Sequence, residues 1–232
     1  MKIAILQPHY FPYIGYFSLI KKSDIFVFLD DVDFIKREWK NRNKIRLNNH
    51  SNDTTWLSIP IKKNFQQNCK INKVLVDNLD LELSLELQFN KLKNSYYKSP
   101  HFNMLGEIFK FQLKKNFNLS LLNINSVEIF FDLLKIKTKI IKSSDLKISG
   151  KKSEKLLNIC KILGASTYFA NNKSKEYLDE NSFLKNNISV KYQDYVHPVY
   201  DQIYDNKKLN FIPYLSILDL IANQGDQSWI YI

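Results

Sequence analysis

Lys2-Ile3-Ala4-Ile5-Leu6-Gln7-Pro8-His9-Tyr10-Phe11-Pro12-Tyr13-Ile14-Gly15-Tyr16-Phe17, followed after a short helix by Ile25-Phe26-Val27-Phe28-Leu29-Asp30-Asp31, is the stretch whose reading decides the fold. Lys2 to Leu6 and Ile25 to Leu29 are short apolar runs with the β-branched and aromatic content of strands buried on both faces. Pro8, Pro12 and Gly15 stop the first strand and delay a helix, which Tyr16 to Lys22 then fits. Strand, loop, helix and strand make a parallel crossover unit. Open α/β sheets bind ligands beyond the carboxyl ends of their strands, where Gln7, His9 and Tyr10 follow the first run and Asp30 and Asp31 the second.

Outward from this unit, the segment up to Arg46 reads as a polar loop, and Thr55 to Ile61 alternates apolar and polar residues as a strand does. Lys62 to Lys70 reads as another polar loop, leading to a short strand at Lys73 to Val76. Leu79 to Lys93, Phe102 to Lys115 and Leu119 to Leu134 carry helical spacing. Beyond them, strands are expected at Thr138 to Lys142, Thr167 to Ala170 and Ile188 to Tyr192. Helices are expected at Lys152 to Leu163, closed by Gly164 as a left-handed stop, and at Glu176 to Lys185. Ser216 is a fitting N-cap for a last helix to Ala222, stopped at Gly225. This alternation predicts an α/β protein with a mainly parallel Rossmann-like sheet, helices on both faces and a helical middle lobe at 79–135 within one domain, 1–232.

The 232 residues hold 34 Lys and Arg against 23 Asp and Glu, a net charge of +11 that reads first as a solvated basic surface and leaves room for an anionic partner. Lysines are scattered and the arginines are confined to Arg37, Arg42 and Arg46. That distribution disfavours nucleic acid, which calls for a basic patch or arm. The polar start is no signal peptide and no apolar run reaches the length of a membrane span, so a cytoplasmic location is expected. Cys69 and Cys160 stand too far apart, and without CxxC spacing, for a disulfide framework or a zinc site. No metal ligand set and no cofactor is indicated. G-x-S-x-G, P-loop, G-x-G-x-x-G and H-E-x-x-H motifs are absent, which disfavours the common hydrolases, kinases, dehydrogenases and zinc proteases.

The chemistry-bearing residues gather in the opening stretch. His9 suits a general base near neutral pH, and one of Asp30 or Asp31 suits orienting it or acting beside it, while the other braces a loop. Lys36, Asn41, Arg42 and Asn43 put cations and amides where phosphates or sugar hydroxyls could be held, Arg42 in bidentate fashion. Tyr10, Phe11, Tyr13 and Trp39 read mostly as core residues, one of which could stack on a base or sugar ring. His197, Tyr200 and Gln202, in the loop after the last strand, are expected to close over the same cleft. His50 and His101 read as surface or packing residues, and Cys160 as a packing residue in an apolar helix.

Gln7-Pro8-x-x-x-Pro12-x-x-Gly15-Tyr16-Phe17, Asp30-Asp31-Val32-x-Phe34-x-Lys36, Asn41-Arg42-Asn43 and Trp56-Leu57-Ser58-Ile59-Pro60 resemble the WbqC-like family, and the likeness continues through Tyr97-Lys98-Ser99-Pro100-His101-Phe102, Pro198-x-Tyr200-x-Gln202 and Leu215-Ser216-Ile217-Leu218-Asp219. That resemblance implies a setting in bacterial O-antigen or other surface-glycan biosynthesis. Within it, the residues suggest a transferase placing an acyl or aminoacyl group on the amine of a nucleotide-linked sugar. The donor would be a carrier protein or a coenzyme A thioester. A weaker resemblance, to the nucleotidyltransferase superfamily with its HxGH loop, rests on His9 and Gly15. It lacks the second histidine, since Tyr16 and Phe17 follow Gly15, and Lys147 to Ser153 only loosely resembles the KMSKS loop of those enzymes. It would imply a nucleotidyltransferase or an ATP-dependent amide ligase. A non-catalytic assembly factor of the polysaccharide machinery is the third expectation.

Overall fold

The computed structural model describes residues 1–62, 69–77, 80–112, 118–202 and 210–232. Most of the expected loop Lys62 to Lys70, the first residue of the expected helix Leu79 to Lys93 and the end of Phe102 to Lys115 lie outside them.

Five strands form a sheet in the order β5-β2-β1-β6-β7: β1 (Lys2–Leu6), β2 (Ile25–Phe28), β5 (Lys139–Lys142), β6 (Thr167–Ala170) and β7 (Ser189–Tyr192). Every pairing in it is parallel. The chain winds outward from β1 through β2 to β5 and then returns to the other side of β1. The reversal point of this Rossmann-like sheet therefore lies between β1 and β6, where such folds open a crevice.

Strand alternation sorts the core into two faces. Ile3 and Ile5 of β1 and Ile25 and Val27 of β2 point to one face, packing with Leu156, Ile159 and Cys160 of α5 (Lys152–Ile162) and Phe183 of α6 (Glu180–Lys185). Ala4, Phe26 and Phe28 point to the other. There they meet α1 (Ile14–Lys21), α2 (Leu81–Tyr96), α3 (Phe102–Gln112), α4 (Leu119–Glu128) and α7 (Ile217–Gln224). Each fully buried aromatic on this side contributes roughly 1.5–3 kcal/mol by burial. Ser216 caps α7 through Leu218 N, and Gly164 (φ +68) follows α5 in the left-handed region. The Cys160 thiol, buried in this core, is pushed up to about 12, which keeps it a packing group.

The expected polar loop before Arg46 ends as a strand. β3 (Arg42–Arg46) pairs antiparallel with β4 (Thr54–Ser58), with Asn43 and Ile45 facing inward. Its alternation escapes an apolar pattern because the inward pair includes an asparagine and because Arg46, on the opposite face, is buried as well. Lys73 to Val76 is no strand: a 3-10 turn at Ile71–Lys73 precedes isolated bridges at Leu75 and Val76. Glu176 to Lys185 divides into a 3-10 turn ending at Glu176 and α6, which Asp179 caps. The helix from Leu119 ends at Glu128, and turns carry the chain on to Lys135.

Candidate functional site

The loop between β1 and α1 is clamped along its length. The carbonyl of Gln7 accepts from Tyr16 Oη (2.9 Å), that of Pro8 from Asn123 Nδ2 (3.1 Å), and that of Pro12 from the N–H of Ile217 (2.9 Å). Asn43 Nδ2 donates to the carbonyls of both Tyr10 and Phe11, and Ser216 Oγ donates to the latter as well. These bonds hold Phe11 at φ +41, a left-handed conformation that a non-glycine residue adopts only when its surroundings impose it. The loop thus derives its shape from α1, β3, α4 and the start of α7.

His9 is the exception within this clamp. Its ring lies 5.4 Å from that of Tyr16, and among the described residues its nitrogens have no hydrogen-bond partner. Burial, and then the neighbouring Lys40 ammonium, lower its pKa to about 3, so the imidazole is neutral at physiological pH. Lys40 is itself buried and ion-paired to Glu38. Burial and the charge of Lys173, just beyond β6, bring its pKa down to about 8. The Lys40 charge thus acts on a neutral imidazole beyond β1, and the charge of Lys173, from the segment after β6, acts on Lys40. Neither Lys40 nor Lys173 stands out in the sequence, because scattered lysines are its commonest feature and neither sits in a motif.

Asp30 and Asp31 follow β2 at the same edge. The chain has left the strand by Leu29, so both carboxylates reach Ser143 Oγ, at 3.1 and 2.5 Å, instead of taking opposite faces. Asp30, 2% exposed, braces the start of the β5–α5 connection through Ser144 N (2.9 Å) and Ser144 Oγ (2.8 Å). Asp31 faces α5, where it accepts from Lys155 Nζ at 2.6 Å. No hydrogen bond or ion pair among the described residues joins either aspartate to His9. Lys155 and Ser143 lay hidden from the sequence because they meet Asp31 across more than a hundred residues.

The other expected site residues are distributed more widely. Tyr10, Gly15 and Asn43 are buried: Tyr10 Oη donates to Gln88 Oε1 (3.1 Å), Asn43 braces the loop, and a Cβ on Gly15 would meet the Tyr13 ring at 2.4 Å. Gln7 is half-buried beside His9, and Lys36 is exposed. Asn41 ties to the carbonyl of Ile59, and Arg42 clips the carbonyl of Arg37 while lying over the Trp56 ring.

Tyr200 and Gln202 enter a buried network instead of closing over His9. Tyr200 Oη (2.6 Å) and Gln202 Nε2 (2.7 Å) both donate to Asp219 Oδ2, and Arg46 Nη2 donates to Gln202 Oε1 (3.0 Å). Burial raises the Asp219 pKa above the ordinary carboxylate value. His197 Nε2 accepts from the N–H of Tyr214 (3.3 Å), so its Nδ1 carries the proton toward Tyr195 Oη (2.9 Å). Its pKa falls to about 4 through burial. Of the remaining histidines, His50 is exposed and the His101 ring packs over Gly225. Among the described residues, no group of three His, Cys, Asp or Glu side chains is placed to hold a metal ion, and no helix is long and apolar enough to cross a membrane.

With this geometry in place, comparison with known proteins decides the family. The model of the WbqC-like protein family matches residues 7–231. The chain belongs to the WbqC-like family. This WbqC-like protein is also 32% identical over 235 residues to Uncharacterized protein Rv1507c of Mycobacterium tuberculosis, covering 100% of the chain and 97% of that relative. No solved structure gives a significant match. The matched span takes in the clamped loop, both aspartates and the Asp219 network.

Proposed function

We propose that this WbqC-like protein is a cytoplasmic enzyme of surface-glycan biosynthesis that transfers an acyl or aminoacyl group to the amine of a nucleotide-linked sugar. The observation that carries this reading is the neutral, unbonded imidazole of His9, held on a clamped loop at the sheet's reversal point with the charge of Lys40 acting on it and that of Lys173 acting on Lys40. The two cations suit the diphosphate of a nucleotide-sugar. Burial is the main cause of the low His9 pKa and the Lys40 charge adds to it; anionic charge arriving there offsets the Lys40 part, so substrate binding makes the imidazole a better base. The amine nitrogen then attacks the carbonyl carbon of a thioester donor. His9 takes a proton from that nitrogen as the N–C bond forms, the C–S bond breaks, and the thiolate leaves on its coenzyme A or carrier arm, where it receives the proton from His9. Rigid bracing of the loop is what preorganised catalysis requires.

A second reading, an amide ligase or nucleotidyltransferase consuming ATP, draws support from the basic segment Lys147 to Ser153. It turns at Gly150 (φ +116) to open α5, on the same sheet edge as Asp31 and Lys155. It follows the edge strand β5, and two further strands, β6 and β7, come after it in the chain.

The test is a mass-spectrometric screen of amino-sugar nucleotides against acyl and aminoacyl thioesters, run with and without ATP. An acylated sugar formed without ATP supports transfer, and ATP-dependent product supports the ligase. His9→Asn should lower kcat by about 10²-fold or more while leaving KM nearly unchanged. A fully active His9→Asn variant overturns the role of His9, and absence of turnover with every donor would favour a non-catalytic assembly factor.

A further inference from the structure

The proposed reaction leaves unused an exposed pair of tilted aromatic rings one residue away from Lys40. Trp39 is 42% exposed, unusual for the largest apolar side chain, and its ring lies 5.5 Å from that of Trp56. Trp56 pairs with Lys44 across the β3–β4 hairpin, and the Arg42 guanidinium carbon sits 4.1 Å from the Trp56 ring centre, with Lys44 Nζ at 5.1 Å. The Arg42 Nε–H, enclosed beside this pair, has no acceptor among the described residues.

The Trp39 backbone is tied directly to the His9 loop. The N–H of Tyr10 donates to the carbonyl of Trp39 (3.0 Å), and Asn123 Nδ2 reaches both the carbonyl of Lys40 (2.6 Å) and that of Pro8 (3.1 Å). Lys40 is buried, with its charge acting on His9, while its neighbour Trp39 remains at the surface.

We propose that Trp39, backed by Trp56 and Arg42, is the stacking platform for the base of a nucleoside diphosphate whose phosphates lie toward Lys40. The proposal rests on the reading of the His9 site as a nucleotide-sugar site and names how the nucleoside part is held. A planar base covers apolar ring surface that water now meets. The cations over Trp56 hold the platform in place and add a field favourable to the adjoining phosphates. Stacking of this kind is tolerant of base identity, so uridine and adenosine diphosphates should both be taken.

Calorimetric titration with UDP, ADP and pyrophosphate tests this. Trp39→Ala should weaken UDP and ADP binding by about 10-fold, leave pyrophosphate affinity unchanged, and be largely rescued by Trp39→Phe. Because Trp39 is surface-exposed, the melting temperature serves as a control that the variants fold. Unchanged UDP and ADP affinity in Trp39→Ala overturns the platform, and if Lys40→Met still weakens pyrophosphate the phosphate reading survives it. Failure of pyrophosphate to bind, with Trp39-dependent binding of UDP and ADP, overturns the phosphate reading and keeps the platform. Binding of none of the three overturns both.

Discussion

Acid should destabilise this protein through His9 in a way that a single substitution can isolate. In the unfolded chain His9 titrates near 6.5, whereas burial and Lys40 lower it to about 3 in the folded protein. Its folded-state value is depressed, so the unfolded chain binds the proton first as pH falls. The stability contributed by neutral His9 is complete above about 6.5 and is lost progressively from there toward 3. At pH 5 the unfolded group sits about 1.5 pH units inside its protonated range, worth about 2 kcal/mol at 1.4 kcal/mol per unit; the part of the ring left to solvent reduces this to about 1–2 kcal/mol. Urea unfolding of the wild type and of His9→Asn at pH 7 and pH 5 measures the difference. The wild type should lose about 1–2 kcal/mol more than the variant, and its Tm should fall by about 2–8 °C more for a chain of this size. Parallel losses in the two proteins would refute the claim that His9 is held neutral. Pyrophosphate, if bound at Lys40 and Lys173, should shrink the difference by raising the folded-state pKa.

His197, lowered to about 4, should contribute a second acid-sensitive term of the same sign between about 6.5 and 4, which His197→Asn removes in the same urea assay. Asp219→Ala takes away the acceptor of Tyr200 and Gln202 and the carboxylate near buried Arg46, and should cost about 3–5 kcal/mol by urea unfolding; a loss under 1 kcal/mol would demote the network. Gly15→Ala forces a Cβ against the Tyr13 ring and should cost about 1–3 kcal/mol, seen as a lower Tm. Arg42→Ala should weaken anionic-ligand binding by about 1.5–3 kcal/mol in calorimetry. It should also lower Tm by a few degrees, because the guanidinium clips Arg37 and covers Trp56.

The sequence by itself determined the elements whose cause is local. Two-sided apolar runs made β1 and β2, prolines and Gly15 set the loop between them, and Gly164 and Ser216 marked helix ends, because these depend on neighbours a few residues away. It also placed His9 at a strand's carboxyl end, which follows from the parallel order alone. Only the tertiary structure decided what each polar side chain does there. Asn43 looked like a ligand group and became a brace because its amide meets carbonyls of the β1–α1 loop, 32 and 33 residues earlier in the chain. Tyr200 and Gln202 looked like a lid and became partners of Asp219. Asp30 and Asp31 met at one hydroxyl contributed from 113 and 112 residues away. Lys40 gained its lowered pKa from burial and from Lys173, on a different crossover. The physical reason is common to all of them: a polar group's role depends on which partner and how much water surround it, and both are set by contacts distant in sequence, whereas backbone conformation and hydrophobic period are recorded locally.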